Sequence, residues 1–126
     1  MKCWLDGLEI DDAPMEEVTF SAQGGRAQMA VDTADGRRVS LEFRGAVAMR
    51  MVPSVLVDRD QLRVDGRYRR CVLISDDSEW LRQLISASVH AKEPIDGALV
   101  HFIVPSDDWV WELLARDCCL VEELGS

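Results

Sequence analysis

The sequence predicts an α+β fold: a mainly antiparallel, strongly curved sheet, split into two layers or closed into a partly open barrel, with one main α-helix packed on it. Three observations lead there. Apolar and polar residues alternate strictly from Glu16 to Phe43, one run over 77–89 repeats with helical spacing, and Ala98–Val104 is an almost unbroken apolar, β-rich segment. The order is sheet, helix, sheet, expected within one domain covering 1–126.

The alternation starts with Val18, Phe20 and Ala22, resumes with Ala27, Met29 and Val31, and ends with Val39, Leu41 and Phe43. Side chains two apart share a face of a strand, so this reads as three antiparallel strands with one buried face. Gly24-Gly25 and Asp35-Gly36 stand between the runs and supply the positive φ angles of tight hairpins. Gly45 separates this meander from a second alternating run, Val47, Met49 and Met51, and marks a bulge or bend where a long strand changes sheet or direction. Pro53 ends that run. Residues 54–68 lack a clean period and hold the turn pair Asp65-Gly66, so they read as a loop or a short edge strand.

A short buried strand is expected over Arg69–Ile74. Asp76 is then the expected helix N-cap with Glu79 as its capping-box partner, and Trp80, Leu81, Leu84 and Ile85 form a stripe expected to cover one sheet face. Pro94 and Gly97 close the helix. Ala98–Val104 reads as a central strand covered on both faces and stopped by Pro105. Asp107-Asp108 makes the next turn, Trp109–Ala115 alternates again, and Cys119–Val121 adds a last short strand. Trp109 and Trp111 share a face, and the charge of Glu112 on the other one turns the tryptophans toward the core.

The net charge of −9 opposes a direct nucleic-acid partner, because a phosphate backbone rewards clustered cations. Residues 37–70 run against that total, with nine arginines to four acids, either paired with the acidic flanks or forming a basic patch. No apolar run is long enough to span a bilayer, and Asp6, Glu9, Asp11 and Asp12 break up the place of an export signal, so a cytoplasmic setting is expected. Cys3 and Cys71 are isolated and Cys118-Cys119 adjacent, which predicts reduced thiols packed in the interior rather than a disulfide framework. The cysteines and the two histidines, His90 and His101, lack metal-ligand spacing, and no cofactor is expected.

No nucleophile elbow, P-loop, dinucleotide fingerprint or zinc-protease helix occurs. The pairs Asp11-Asp12, Asp76-Asp77 and Asp107-Asp108 fall at turns and caps, where aspartate is favoured. After Asp58-x-Asp60 a calcium loop fails, since Leu62 and Arg63 occupy the positions of an oxygen ligand and the turn glycine. His101 shares its strand face with Leu99 and Ile103. The ordinary role there is a hydrogen-bonded strand histidine, and the sharper one is a general base in an apolar setting.

Ser78-Glu79-Trp80-Leu81, His101-Phe102-Ile103-Val104 and Asp108 through Ala115 together resemble a pattern in small, mostly uncharacterised bacterial proteins, some of them similar to immunity proteins of polymorphic toxin systems. The resemblance carries no catalytic residue. It implies a toxin-neutralising protein whose acidic surface meets a basic toxin domain.

Three expectations follow. The first is a non-enzymatic protein–protein interaction module with Asp76, Asp77, Asp107, Asp108 and Trp109 at its contact surface. The second is a small-ligand-binding or catalytic domain with its pocket between sheet and helix near His101, where Arg69 and Arg70 would clamp an anion. The third is a homodimer formed through the Trp-rich strand or the edge near 54–68.

Overall fold

The alternating segments fold as strands whose turns sit at the predicted glycines. In a computed structural model, which describes residues 1–5, 7–12, 18–21, 23–92 and 98–124, β1 (Lys2–Cys3) and β2 (Ile10–Asp12) precede the meander β3 (Val18–Ser21), β4 (Arg26–Thr33) and β5 (Arg38–Arg44). Ala22, Pro94 and Gly97 lie outside the described residues. Within the β4–β5 pair, Ala27 faces Phe43, Met29 faces Leu41 and Val31 faces Val39, so every cross-strand pair on that face is apolar and buried.

Gly45, at φ 63°, is where the chain leaves one sheet for the other. Any side chain there would also meet Arg116, whose Cγ would lie 2.7 Å from an added Cβ. β6 (Ala48–Pro53) then joins the second sheet. Short 3₁₀ turns at Ser54–Leu56 and Arg59–Leu62 lead into a hairpin, β7 (Arg63–Val64) and β8 (Arg67–Tyr68). Its turn residues Asp65 and Gly66 both have positive φ, the requirement of a type I′ connection. The last elements are β9 (Leu73–Ile74), α1 (Glu79–His90), β10 (Val100–Pro105), β11 (Trp109–Ala115) and β12 (Asp117–Leu124).

One sheet has the order β1-β9-β10-β11-β6. The other is strongly curled, with the order β12-β5-β4-β2 and β3 also on β4. Their facing sides enclose the main core, in which Phe43 of β5 meets Phe102 of β10 edge-to-face at 5.3 Å. Trp111 packs against this core, while Trp109, on the same face, lies at the margin and is 38% exposed. The opposite side of the first sheet carries Leu73, Ile103 and Val110 under Leu62 and Val64, a smaller second cluster. Both faces of β10 are therefore covered, as its unbroken apolar sequence requires.

Three expectations are corrected. The helix N-cap is Ser78, whose hydroxyl accepts from the Leu81 N–H at 3.0 Å. Asp76 is drawn instead to the N-terminal ammonium of Met1 and Asp77 to Arg82. The helical stripe does not seal a sheet face: no residue of α1 is fully buried, and Ile85 is exposed. Finally, Cys3 and Cys71 form a disulfide across a sequence separation of 68, while Cys118 and Cys119 are free. Antiparallel pairing of β1 with β9 sets Cys3 opposite Leu73 and brings the N-terminal strand beside Cys71, a proximity that sequence spacing does not express.

The exposed helix has a measurable consequence. Leu84 is only partly buried, so Leu84→Ala is expected to cost about 1 kcal/mol in urea unfolding, near the value of a half-buried side chain and well below the range of core deletions. A loss of about 3 kcal/mol or more would place α1 in the packed core.

Among the described residues, no helix is long and apolar enough to cross a membrane.

Candidate functional site

The outer face of the first sheet carries a short polar row in an apolar setting. On β10 and β11, Ile103 stands opposite Glu112 and His101 opposite Leu114, so His101 and Glu112 are diagonal neighbours on one face. Pairing of β11 with β6 adds Arg50 directly opposite Glu112. Ser78 arrives from the other side, because its segment is tied to β10 by a hydrogen bond from the Ser75 N–H to the His101 carbonyl at 3.0 Å.

The side chains form a continuous chain. Ser78 Oγ lies 2.7 Å from His101 Nδ1, His101 Nε2 lies 2.8 Å from Glu112 Oε1, and Arg50 Nε donates to Glu112 Oε2 at 2.7 Å. Arg50 Nη2 adds a second bond to Glu112 Oε1 at 3.2 Å. Trp80 packs edge-to-face on His101 at 5.3 Å, and the Arg50 guanidinium lies over the Trp80 ring at 4.1 Å. Ser78 and His101 are both buried.

Charge fixes the direction of these bonds. Burial acts to raise the Glu112 pKa, but hydrogen bonds from His101 and Arg50, with the Arg50 charge, outweigh it and hold the carboxyl at about 2. An ionised Glu112 only accepts, so His101 Nε2 carries a proton. With the ring neutral, Nδ1 is then an acceptor and Ser78 donates its hydroxyl proton to it. One Ser78 lone pair takes the Leu81 N–H, and the other has no donor among the described residues. The backbone N–H groups of Glu79 and Trp80, in the first turn of α1, have no acceptor among the described residues.

The row lines a cavity of about 750 Å³ whose apolar wall includes Val52, Leu56, Ile103 and Val110. The cations around it are matched by carboxylates: Arg50 by Glu112, Arg82 by Asp77 and the Met1 ammonium by Asp76.

The Glu112 pKa makes stability depend on acid. Its value in the folded chain lies below the ordinary 4.5, so Glu112 contributes stability that is complete above 4.5 and is lost as pH falls toward about 2. Urea midpoints of the wild type are expected to fall across that window more steeply than those of Glu112→Gln. Identical slopes would mean that Glu112 is not held by His101 and Arg50.

The residues expected from the sequence separate into three places. Asp76 and Asp77 line the His101 cavity beside the start of α1. Asp107 and Asp108 form the β10–β11 turn and Trp109 opens β11; Ser54 bonds to the carbonyls of Asp107 and Asp108, and Arg70 Nη2 holds Asp107 Oδ1 at 3.0 Å. Arg69 and Arg70 line a different cavity of about 830 Å³ with Tyr68 and Glu9, and so are not brought to His101.

Arginines of the 37–70 stretch pair with acids both near and far in the sequence. Arg37 meets Asp35, Arg44 meets Asp117, Arg63 meets Asp60, and Arg70 meets Asp107. The acidic surface is thus interspersed with arginine. Among the described residues, no group of three or more His, Cys, Asp or Glu side chains gathers to hold a metal ion.

From the sequence, His101 is singled out, while Ser78, Glu112, Arg50 and Trp80 are missed as parts of the site. A signal was present in part: Glu112 is the charged residue on an apolar strand face, and that face is the one His101 occupies. Compared with protein-family models, curated proteins and solved structures, the chain matches none.

Proposed function

We propose that the protein binds a small, uncharged and partly apolar molecule in the cavity beside His101. One observation carries this reading: a hydrogen-bonded row, Ser78–His101–Glu112, with Ser78 and His101 buried, stands in the wall of a cavity whose sheet side adds Val52, Ile103 and Val110 and whose other side is polar. Ligand sites commonly combine a concave apolar surface with a few placed polar groups. The pairing of Arg50, Arg82 and the Met1 ammonium with carboxylates disfavours an anion, since a second anion would have to displace an existing one. An anion clamp formed by Arg69 and Arg70 belongs to the other cavity.

The test is a panel of neutral esters, amides and alcohols set against a panel of carboxylates and phosphates, read by melting temperature and by tryptophan fluorescence. A neutral compound at about 100 times its Kd adds about 2.7 kcal/mol of stability. Its fluorescence response is expected to vanish in Trp80→Phe. No shift with any neutral compound, or a response confined to anions, would remove the reading.

A second reading, the protein–protein interaction module, rests on an adjoining surface that shares Leu56 with the cavity. β6 is an edge strand of its sheet, and beside it Val55 is 87% and Leu56 73% exposed, with Met51 and Trp109 also uncovered. An open strand edge next to exposed apolar side chains invites strand addition by a partner protein, by a basic toxin domain in the immunity reading or by a second copy of this chain. Light scattering at increasing concentration separates the last case, and Met51→Lys with Leu56→Asp is expected to abolish either association. The cytoplasmic setting stays part of this reading. The Cys3–Cys71 disulfide weighs against it, because cytosolic thiol pools keep such pairs reduced.

A further inference from the structure

We propose that Ser78 is an acyl-accepting nucleophile with His101 as its general base, and that the cavity hydrolyses small, neutral carboxylic esters. The inference rests on the reading of the cavity as a ligand site and adds a reaction to it.

The geometry supplies each part that acyl transfer needs. The nucleophile and base are 2.7 Å apart, within proton-transfer reach, and the base is oriented by a carboxylate 2.8 Å from its other nitrogen. This is a serine–histidine–carboxylate order, recognised by roles and distances rather than by sequence position. Here Nδ1 faces the serine and Nε2 the carboxylate. Arg50 is a positioning residue: its two hydrogen bonds to Glu112 and its contact with the Trp80 ring fix the carboxylate and, through it, the imidazole.

In the first step, Ser78 Oγ attacks the ester carbonyl carbon through the lone pair that the Leu81 N–H does not occupy, while its proton passes to His101 Nδ1. The carbonyl π electrons move onto oxygen, and the N–H groups of Glu79 and Trp80, which have no acceptor among the described residues and directly follow the nucleophile in the first turn of α1, are the donors for this oxyanion. Collapse of the tetrahedral intermediate breaks the bond to the leaving oxygen. That oxygen takes the proton from Nδ1 and departs as an alcohol, leaving an acyl-Ser78 ester. Water then attacks the acyl carbon by the same route, giving its proton to Nδ1. The Ser78 oxygen recovers a proton as the carboxylic acid is released. The imidazolium formed in each half is paired with Glu112 throughout. Two features favour a neutral substrate: the local cations are already matched, and Val52, Ile103 and Val110 offer an apolar wall for the acyl or alcohol part.

A fluorophosphonate probe and p-nitrophenyl acetate test this on the full chain. The probe is expected to add once, on the peptide that contains Ser78, and p-nitrophenyl acetate to give a burst equal to the protein concentration. Ser78→Asn keeps a helix-capping side chain without a nucleophilic hydroxyl, and is expected to remain folded and take no label. His101→Gln is expected to slow labelling by about 100-fold or more, the range of a lost general base. An adduct on another residue, equal labelling of Ser78→Asn and wild type, or no adduct on folded wild-type protein would overturn the proposal. A wild type that shifts its melting temperature with a neutral ester yet takes no label would leave the binding site standing and remove the reaction alone.

Discussion

Replacing Phe102 with alanine is expected to destabilise the fold by about 3–5 kcal/mol, because it deletes a buried aromatic ring at a place that cannot easily collapse. Phe102 is 2% exposed and sits on β10, the strand paired on both sides within its sheet. Its ring meets Phe43 of the curled sheet, so it joins the two halves of the core rather than filling one of them. Phe43→Ala is expected to cost a similar amount. The double variant should cost less than the two losses added together, since each single change already removes the shared edge-to-face contact. Urea unfolding of the four proteins measures this, with leucine in place of alanine if the double variant does not fold. Full additivity, or a Phe102→Ala cost under about 1 kcal/mol, would mean that the sheets do not meet through this pair.

Removing the Cys3–Cys71 bridge is expected to cost about 4 kcal/mol. In the chain-entropy account, closing a loop of this length, a sequence separation of 68, restricts the unfolded chain by about that amount. The comparison is between the double variant Cys3→Ser, Cys71→Ser and the oxidised wild type, with reduced wild type as the third sample. Reduced wild type and the double variant should unfold at similar urea concentrations, both below the oxidised protein. Under denaturing, non-reducing conditions the wild type should expose two free thiols, those of Cys118 and Cys119. Four free thiols, or a variant as stable as the oxidised wild type, would contradict the bridge. The bridge ties β1 to the segment that leads through β9 toward Ser78, so its loss should also loosen the Met1 contact to Asp76.

Local pattern carried much of the fold. The β3–β5 meander was legible because period-two alternation and glycine turns are properties of neighbouring residues, and each buried apolar side chain of β4 and β5 follows from them; the pattern does not account for buried Glu42 on the other face or for Phe20 of β3, which is exposed. The sheet change at Gly45 was legible for the same reason, since positive φ leaves few residue types free to occupy it. The helix was found with its cap misplaced, because Asp76, Asp77 and Ser78 are all good caps and only the tertiary partners of the two aspartates settle the choice.

The rest depended on contacts between distant segments. Nothing local links Cys3 to Cys71, and the helical stripe of Trp80, Leu81, Leu84 and Ile85 gave no sign of how little of it the sheet would cover. In the candidate site, His101 was visible as a polar residue in an apolar strand. Its partners were not, because Ser78, Arg50 and Glu112 come from three different segments that meet only once β6, β10 and β11 pair.

The hydrogen-bonded row Ser78–His101–Glu112 underlies the site, and the protonation of the His101 ring tests that row most directly. In a ¹⁵N-labelled sample in mildly alkaline solution, long-range ¹H–¹⁵N spectra distinguish a protonated ring nitrogen from a bare one. The row requires His101 Nε2 to appear fully protonated and Nδ1 fully bare, with no averaging between tautomers, and Glu112→Ala to bring the averaging back. Averaged shifts in the wild type, or a proton resident on Nδ1, would contradict the row and the site built on it.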